Sequence, residues 1–498
     1  MRLGIDFGTT HTVVSMVDRG NYPVVAFEGG DPYPSLVALL PSGELRYGFD
    51  AAAVRHEPGV RLVRSFKRLL SEAGPRAEVE VGGRPLLILD LLTAFLAKVK
   101  DDLLSRSNAG AGDGEPLEVA FSVPANSSSA QRFLTLEAFR EAGFKPVALL
   151  NEPSAAGFEY AHRFRSTITS RREHVLVYDL GGGTFDASLL RMTRKTNEVV
   201  TSEGVRRLGG DDFDEAILDA VLARSGAPSP DPETRDLLLE ECARQKEAVG
   251  PNTRRLVLDL SPLDRPPVAL PIEEVNEACL PLVERTIAAT EPVLGAAGVE
   301  EVELAGVYVV GGVGAFPLVG RMLRERFGEK RVKRSPHPFA ATAVGLALSL
   351  DAEAGYTLAD RLTRHFGVFR EAEAGEAVVF DPVFPKDLSL PAPGEAPLVA
   401  VRRYRAAHDV GHFRFVECSR IVDGRPDGDV APWQDLKFPF LAALRGRRLE
   451  TPAVRRLAEP GPEVEEVYSC SDAGAITVTI RVPADGYSRT FRLGRPAL

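Results

Sequence analysis

Two segments of this chain share one pattern, in which an apolar strand runs into an aspartate and then into a turn of glycine and threonine. In the first segment Asp6 ends the strand, and Gly8, Thr9 and Thr10 form the turn. In the second segment Asp179 is followed by Leu180, three glycines and Thr184. An apolar run follows each turn, so each segment predicts a β-hairpin. The recurrence of the pattern predicts an internal duplication.

The composition of these turns indicates their chemistry. A turn with almost no side chains lets backbone N–H groups approach phosphate oxygens. A nearby carboxylate suits Mg²⁺, which keeps several of its own waters and takes few protein ligands. A single turn of this kind is also typical of an ordinary glycine-rich hairpin. The second copy favours two turns that face one nucleotide.

This arrangement resembles the actin-like ATPase superfamily, and further segments narrow the resemblance to the seventy-kilodalton heat-shock chaperones (DnaK-like). The supporting segments are Phe66-Lys-Arg-Leu69, Ser122-Val-Pro-Ala-Asn-Ser-Ser-Ser-Ala-Gln-Arg132, Leu149-Leu-Asn-Glu-Pro-Ser-Ala-Ala-Gly157 and Leu208-Gly-Gly-Asp-Asp-Phe-Asp214. With the two hairpins they occur in the family's order and at its spacing. The resemblance covers residues 1 to about 347 and implies an α/β fold. That fold is a duplicated, ribonuclease-H-like nucleotide-binding domain over 1–350, with lobes of about 1–155 and 156–350.

The resemblance also implies a site that binds ATP or ADP with Mg²⁺. Phosphate-binding positions carried over from the family are Gly8, Thr9, Thr10, Gly181, Gly182, Gly183 and Thr184. Gly209 and Gly210 are further nucleotide-binding positions that the resemblance implies. Asp6 and Asp179 would hold Mg²⁺ through water. Lys67 would set the attacking water, and Glu152, Asp179 and Thr184 would complete the catalytic set. Hydrolysis at such a site needs positioning and charge neutralisation rather than a covalent nucleophile.

The adenosine end departs from the family pattern. Gly311 and Gly312 keep the paired glycines, and Lys246 corresponds to the lysine that contacts ribose and adenine. Val313 stands where the family has a small hydroxyl residue, and Ala315 stands where an arginine stacks on adenine. Such stacking is worth about 1 kcal/mol or more. We therefore expect adenosine to be held more weakly or differently than in the family.

Two aromatic residues are candidates to replace that arginine. Phe316 follows the paired glycines, and Phe339 lies where the family has an Asp-Glu pair before its last helix. Either ring is a candidate to stack on the base.

The pattern changes after about residue 350. Helical periodicity fades, prolines accumulate and short alternating runs such as Ile476–Val482 appear, which predicts half-buried strands. We expect a linker over 351–360 and a β-rich domain over 361–498, most simply a β-sandwich. Too few residues follow Val482 for the family's helical lid, and the family's hydrophobic linker is not recognisable. An open sheet edge is nevertheless suited to binding an unfolded peptide or client protein.

Composition limits the partners and the location. The net charge is −10, which argues against general nucleic-acid binding. The four cysteines are scattered without a CxxC pair, as expected of reduced thiols in a cytoplasmic protein. No apolar run is long enough to span a membrane, and the first strand begins at Leu3, so neither a membrane segment nor a signal peptide is expected.

These observations favour a chaperone-type ATPase whose hydrolysis is slow and coupled to the C-terminal β domain. The family implies J-domain and nucleotide-exchange partners. Two alternatives remain. One is a nucleotide-sensing scaffold that hydrolyses little, and the other is a small-molecule kinase of the same superfamily.

Overall fold

The structure, a computed structural model, describes most of the 498 residues of the chain. The described residues are 1–30, 32–63, 65–71, 77–81, 83–110, 112, 114–125, 127–193, 195–392, 394–446, 449 and 454–492, and the side chains of 206, 374 and 432–435 are outside this description. The chain folds into two compact units. Within the described residues, the first unit comprises 1–71, 78–125 and 138–358, and the second comprises 77, 127–137 and 359–492.

The strands up to Ala359 are numbered in chain order. They are β1 (Arg2–Phe7), β2 (His11–Met16), β3 (Tyr33–Pro34), β4 (Val37–Leu39), β5 (Leu45–Tyr47), β6 (Arg61–Val63), β7 (Glu78–Val81), β8 (Arg84–Leu87), β9 (Glu118–Val123), β10 (Lys145–Asn151), β11 (His174–Leu180), β12 (Thr184–Thr193), β13 (Thr196–Arg206), β14 (Arg255–Leu258), β15 (Val268–Pro271), β16 (Leu304–Val310), β17 (Val332–Arg334) and β18 (Thr357–Ala359).

The α-helices are numbered in the same way. They are α1 (Gly48–Val54), α2 (Ile88–Ser105), α3 (Ser129–Glu141), α4 (Glu152–Arg163), α5 (Gly210–Ser225), α6 (Pro232–Glu247), α7 (Ile272–Ala288), α8 (Thr290–Ala297), α9 (Pro317–Phe327) and α10 (Ala341–Ser349). Among the described residues, no helix combines the length and the apolar character needed to cross a membrane.

Two sheets of the first unit repeat one topology. The first sheet has the order β10-β9-β1-β2-β3, and the second has the order β17-β16-β11-β12-β13 with β18 added at its edge. Strand β1, which carries Asp6, pairs antiparallel with β2 and parallel with β9. Strand β11, which carries Asp179, likewise pairs antiparallel with β12 and parallel with β16. The duplication and the α/β fold class expected from the sequence are therefore confirmed.

Helices α4 and α10 form the layer between these sheets. Helix α10 packs against β1 and β2, helix α4 packs against β11 and β12, and the two helices pack on each other. Their crossing requires glycine, because a Cβ on Gly345 would lie 1.8 Å from the carbonyl oxygen of Ala155. The central strand β11 is apolar without alternation, as expected of a strand buried on both faces. This core fixes the strand ends at which the site is built.

The second unit is a sandwich of two antiparallel sheets. Its strands are β19 (His365–Ala372), β20 (Ala377–Phe384), β21 (Leu398–Arg405), β22 (Val410–Val422), β23 (Arg425–Pro439), β24 (Glu463–Cys470), β25 (Ile476–Val482) and β26 (Tyr487–Arg492). The sheet orders are β20-β19-β22-β23 and β21-β24-β25-β26. Side chains of both sheets share one apolar core, which includes Phe415, Phe438, Val478 and Ile480. The expected strand-rich C-terminal domain is confirmed.

The start of helix α3 also belongs to the second unit. The backbone N–H of Ser129 donates to Oε2 of Glu417 at 2.9 Å, and the Ser129 hydroxyl donates to the other carboxylate oxygen. A carboxylate at a helix N-terminus is favourable because it faces unsatisfied N–H groups. The sequence pattern had assigned the start of helix α3 to the nucleotide-binding domain alone.

The segment 351–360, expected to be a linker, is partly ordered into the first unit. Strand β18 lies within it, and the backbone N–H of Thr357 donates to the carbonyl of Lys195 at 2.9 Å. Tyr356 and Leu358 pack against apolar residues of α4 and α10. The residues before 359 are therefore held by the sheet and the helix layer of the first unit.

Candidate nucleotide site

The β1–β2 and β11–β12 turns face each other. Each turn is closed by a backbone hydrogen bond, from Gly8 N–H to the His11 carbonyl at 3.0 Å and from Gly181 N–H to the Thr184 carbonyl at 3.1 Å. A Cβ on Gly182 would lie 2.1 Å from Oγ1 of Thr10. Glycine is therefore required at this position, because the two turns approach to contact distance.

The start of helix α5 supports the second turn from behind. The N–H groups of Gly210 and Asp211 donate to the carbonyls of Gly181 and Gly182 at 2.9 and 2.8 Å. A Cβ on Gly209 would lie 2.7 Å from the nitrogen of Gly183, so this close approach also requires glycine. These bonds fix the turn while leaving its cavity side open.

A single cavity of the first unit brings most of the expected site residues together. It contains about 1130 Å³ of empty space, including its open mouth. The expected residues that line it are Asp6, Gly8, Thr9, Thr10, Lys67, Glu152, Asp179, Gly181, Gly182, Thr184, Gly210, Lys246, Gly311, Gly312 and Phe316. Gly183 and Gly209 lie outside the lining and belong to the support of the second turn.

Lys67 and Glu152 form a buried ion pair on the cavity wall. Nζ of Lys67 donates to Oε1 of Glu152 at 2.8 Å, and the two side chains are only 7% and 12% exposed. Lys67 lies in a 3₁₀ turn, Phe66–Ser71, whereas Glu152 begins helix α4. Nζ of Lys67 also lies 5.4 Å from the centre of the Phe7 ring. Glu152 thus fixes the position of the lysine ammonium in the cavity.

Asp6 and Asp179 end equivalent strands and lie in the same electrostatic field. Burial, reinforced by the charge of Glu152, raises the pKa of Asp6 to about 7, although Lys67 opposes the shift. Burial also raises the pKa of Asp179 well above its usual range, with further contributions from the charges of Glu152 and Asp186. The raised pKa values of Asp6 and Asp179 mean that nearby positive charge does not offset the burial of the two carboxylates. A bound cation would lower both pKa values.

The carboxylate oxygens of Asp6 and Asp179 fit Mg²⁺ chemically, since hard cations prefer oxygen ligands. Among the described residues, no group of three or more His, Cys, Asp or Glu side chains is close enough to hold a metal directly. A Mg²⁺ ion held by these two carboxylates would keep several of its own waters, as Mg²⁺ usually does.

Arg68 is a functional candidate that the sequence reasoning did not single out. Its Nε and Nη2 donate to the Gly183 carbonyl at 3.1 and 2.8 Å, and Nη2 also donates to Asp212 at 2.8 Å. The Nη1 atom lies 3.1 Å from Asp211. Arg68 therefore holds the second glycine turn and the start of α5 in one position. The position of Arg68 next to Lys67 was the sequence signal that could have identified it. The main partner of Arg68, however, is a backbone carbonyl.

The far end of the cavity is mostly apolar. Val313 and Ala315 both line it, as do Ala243 and Val249 of helix α6 and the residues just after it. Lys246 lines it as well, and its Nζ lies 2.7 Å from Oδ1 of Asp214. Of the polar and charged groups that the family resemblance suggests at this end, Lys246 remains. The exposed Glu247 also lines the cavity.

Of the two aromatic residues considered for base stacking, Phe316 belongs mainly to the core. It is 3% exposed, and its ring lies edge-on to Phe213 with centroids 6.0 Å apart. Phe339 is half-buried and lies edge-on to His11, with centroids 5.7 Å apart. Burial lowers the pKa of His11, so this imidazole is neutral at pH 7.

Comparisons with known proteins agree with this architecture. The family model described as Hsp70 protein matches residues 75–360, which is more than half of the chain. The chain belongs to the Hsp70 family. Its curated relatives include chaperones named HscA.

Three of these relatives indicate the extent of the match. The chaperone protein HscA homolog of Burkholderia multivorans is 33% identical over 376 residues, which cover 71% of this chain and 59% of that protein. HscA of Cronobacter sakazakii is 33% identical over 70% of this chain and 57% of its own length. The HscA homolog of Acidithiobacillus ferrooxidans is 30% identical, with 73% and 60% covered. This Hsp70-family chain therefore matches somewhat less than two thirds of each relative.

Proposed function

We propose that this chain is a chaperone-type ATPase that binds ATP with Mg²⁺ between its two lobes and hydrolyses it slowly to ADP and phosphate. One observation carries the proposal: the two glycine turns face each other, with Asp6, Asp179 and the Lys67–Glu152 pair on the walls of the same cavity. Membership of the Hsp70 family and similarity to chaperones named HscA support it.

The residues have separate tasks in this proposal. Backbone N–H groups of the two turns, with the hydroxyls of Thr9, Thr10 and Thr184, bind the phosphates. Asp6 and Asp179 hold Mg²⁺ through its waters, and the metal when bound supplies charge neutralisation at the phosphates. Lys67 positions the attacking water and stabilises charge at the terminal phosphate, while Glu152 keeps Lys67 in place. Catalysis then consists of positioning and electrostatics.

The second unit is proposed to bind an unfolded peptide or client protein by strand addition. Strand β21 is at the edge of its sheet, and Val399 and Val401 on it are 60% and 42% exposed. An edge strand offers backbone groups to an extended chain, and alternate side chains supply specificity. We further propose J-domain and nucleotide-exchange proteins as partners. A cytoplasmic location fits the four buried free cysteines.

Phosphate release by the full chain tests the ATPase. With ATP and Mg²⁺, we expect Lys67→Ala to reduce the steady-state rate at least tenfold, in line with the loss of a charged group from the transition state. Lys145→Ala is the matched control, since Lys145 is 64% exposed and lies on β10. Equal rates for wild type and Lys67→Ala would exclude catalysis by this site and favour a nucleotide-sensing scaffold. A rate that depends on an added metabolite would instead indicate a kinase.

Peptide binding is tested separately with a fluorescent extended peptide. The double variant Val399→Lys and Val401→Lys places charges along the β21 edge, and we expect weaker binding with an unchanged melting temperature. Val302→Lys is the control, because Val302 is 53% exposed and lies in the first unit. Unchanged peptide affinity in the double variant would exclude this edge as the docking site.

A further inference from the structure

The two ends of the cavity differ in their chemistry. The phosphate end is made of backbone turns, carboxylates and Lys67. The other end is made of helix α6 and Val249 just beyond it, the 3₁₀ turn Gly312–Ala315 with Phe316, and residues 338–339. Both ends belong to one continuous cavity. A nucleotide whose phosphates lie between the turns can therefore place its base at this second end.

Few side chains at this end can form hydrogen bonds with a base. Among the described residues that line it, the following have no polar side-chain atom: Ala243, Val249, Val313, Ala315, Phe316, Pro338 and Phe339. The cavity is also lined by the polar side chains of His11, Lys246, Glu247, Asp211, Asp214 and Thr342. Asp211 and Asp214 are engaged by Ser65 and by Lys246. The Thr342 hydroxyl is both donor and acceptor and does not select one purine. The question of base recognition therefore reduces to His11, Lys246 and Glu247.

Lys246 is largely engaged by the protein. Its Nζ donates to the carbonyl of Gly210 at 2.7 Å and lies 2.7 Å from Oδ1 of Asp214. The negative charge of Asp214 therefore balances the positive charge of Lys246. An ammonium has three donors, so one more hydrogen bond remains possible. A single donor finds the same N7 acceptor on adenine and guanine and does not distinguish them.

Glu247 and His11 add little selectivity. Glu247 is exposed at the mouth of the cavity, where water competes for its carboxylate, and its charge acts on the neighbouring His11. The exocyclic amine is on C6 of adenine and on C2 of guanine, and the water around this exposed carboxylate weakens a hydrogen bond from either amine. The neutral His11 ring is packed edge-on to Phe339. The imidazole nitrogens supply one donor and one acceptor, and a single donor finds the same N7 acceptor on adenine and on guanine.

The ring of Phe339 is held at a position where it can contact a base through its surface, without hydrogen bonds. A Cβ on Gly312 would lie 2.5 Å from Cε1 of Phe339, so the ring rests on the glycine. Stacking on an aromatic ring depends weakly on base identity, because every base has a π face. An apolar pocket also discriminates modestly between ligands of similar shape, whereas a pocket that hydrogen-bonds a ligand group rejects the analogue without it strongly.

We propose that this site accepts purine nucleoside triphosphates as a class, with its affinity residing in the triphosphate and Mg²⁺ rather than in recognition of adenine. The inference rests on the proposed nucleotide-binding function and specifies its substrate class. ATP and GTP are expected to bind with dissociation constants within about tenfold of each other.

Calorimetric titration of the full chain with ATP and with GTP, each with Mg²⁺, tests the inference. Comparable affinities support it. ATP binding at least a hundredfold more tightly than GTP would overturn it while leaving the proposed ATPase intact. Failure of both nucleotides to bind would overturn the inference and the proposed function together. Comparable binding without phosphate release would retain the inference and contradict only the proposed hydrolysis.

A variant separates stacking from base recognition. Phe339→Ala is expected to weaken ATP and GTP by the same factor, roughly tenfold, so that their ratio stays constant. Phe369→Ala is the control, since Phe369 is a half-buried phenylalanine of the second unit. A loss of ATP affinity alone would show that adenine is recognised at Phe339 and would overturn the inference. A circular dichroism melt verifies that each variant is folded.

Discussion

Nζ of Lys246 lies 2.7 Å from Oδ1 of Asp214, and both side chains are almost completely buried. The pair joins the last turn of helix α6 to the first turns of helix α5, where the second glycine turn is supported. It is therefore a structural brace as well as part of the cavity wall. Burial of the two charged side chains is favourable only while each is paired with the other.

Replacement of Lys246 by methionine is expected to destabilise the protein by about 3–5 kcal/mol, because the Asp214 carboxylate stays buried without its lysine. Urea denaturation followed by circular dichroism measures this change. The double variant Lys246→Met with Asp214→Leu is expected to recover much of the loss. If the double variant lost as much stability as the two single variants added together, the pair would not act as a structural brace.

The crossing of α4 and α10 yields a second prediction. Gly345→Ala is expected to cost about 3 kcal/mol or to prevent folding, because its Cβ would meet the backbone of Ala155 at 1.8 Å. Gly295→Ala is the matched helical control. An added Cβ there would meet no atom within 4 Å. We expect it to stabilise by about 0.5–1 kcal/mol, as helix propensity dictates. Similar melting temperatures for the two variants would refute this packing.

Arg68 is expected to act as a positioning residue for the second glycine turn. Arg68→Lys keeps the charge but not the planar fork that reaches both Gly183 and Asp212, so we expect a roughly tenfold fall in the phosphate release rate. The melting temperature should change little. Arg321→Ala, an exposed arginine of α9, is the control. A changed nucleotide KM with an unchanged maximal rate would argue for a binding role instead.

Acid is expected to weaken the second unit through Asp381. Burial alone would raise the pKa of Asp381, but hydrogen bonds and charges from Arg402 and Arg370 outweigh it and hold the pKa below its usual range. The distances from Arg402 to both carboxylate oxygens are 2.9 Å. A depressed folded-state pKa contributes stability at neutral pH. This contribution is complete above the unfolded-state pKa, near 4, and is lost as pH falls through the folded-state pKa.

Thermal unfolding between pH 7 and about pH 3 measures this effect. Asp381→Asn lacks the titrating group, so its unfolding transition should depend less on pH over this range. The variant should also be less stable than wild type at neutral pH. Parallel curves for the two proteins would show that Asp381 makes no contribution to the acid sensitivity.

The hairpins were predictable because their information is local. An apolar strand, an aspartate and a glycine turn are contiguous in sequence, and the pattern recurs around Asp6 and Asp179. The equivalent sheets place both turns at corresponding strand ends. Helix α2 was predictable for a similar reason, since Leu91, Phe95 and Val99 recur at helical spacing and are all buried.

Other features depend on residues that are distant in sequence. Arg68 bonds to a carbonyl 115 residues away in the chain, and no side-chain pattern indicates such a partner. Strand β18 has only three residues, too few to show a period, and forms because Thr357 reaches Lys195. Phe316 was expected near the base, but packing with Phe213 places most of its ring in the core.

Strand β18 lies at the margin of the sheet that carries Asp179. So short a strand has few backbone bonds to break, and local opening of such a margin requires much less free energy than global unfolding. Its release would leave β13 as the edge of the sheet, while β11 and its glycine turn would keep their places. The margin of this sheet can thus open without disturbing the turn that follows Asp179.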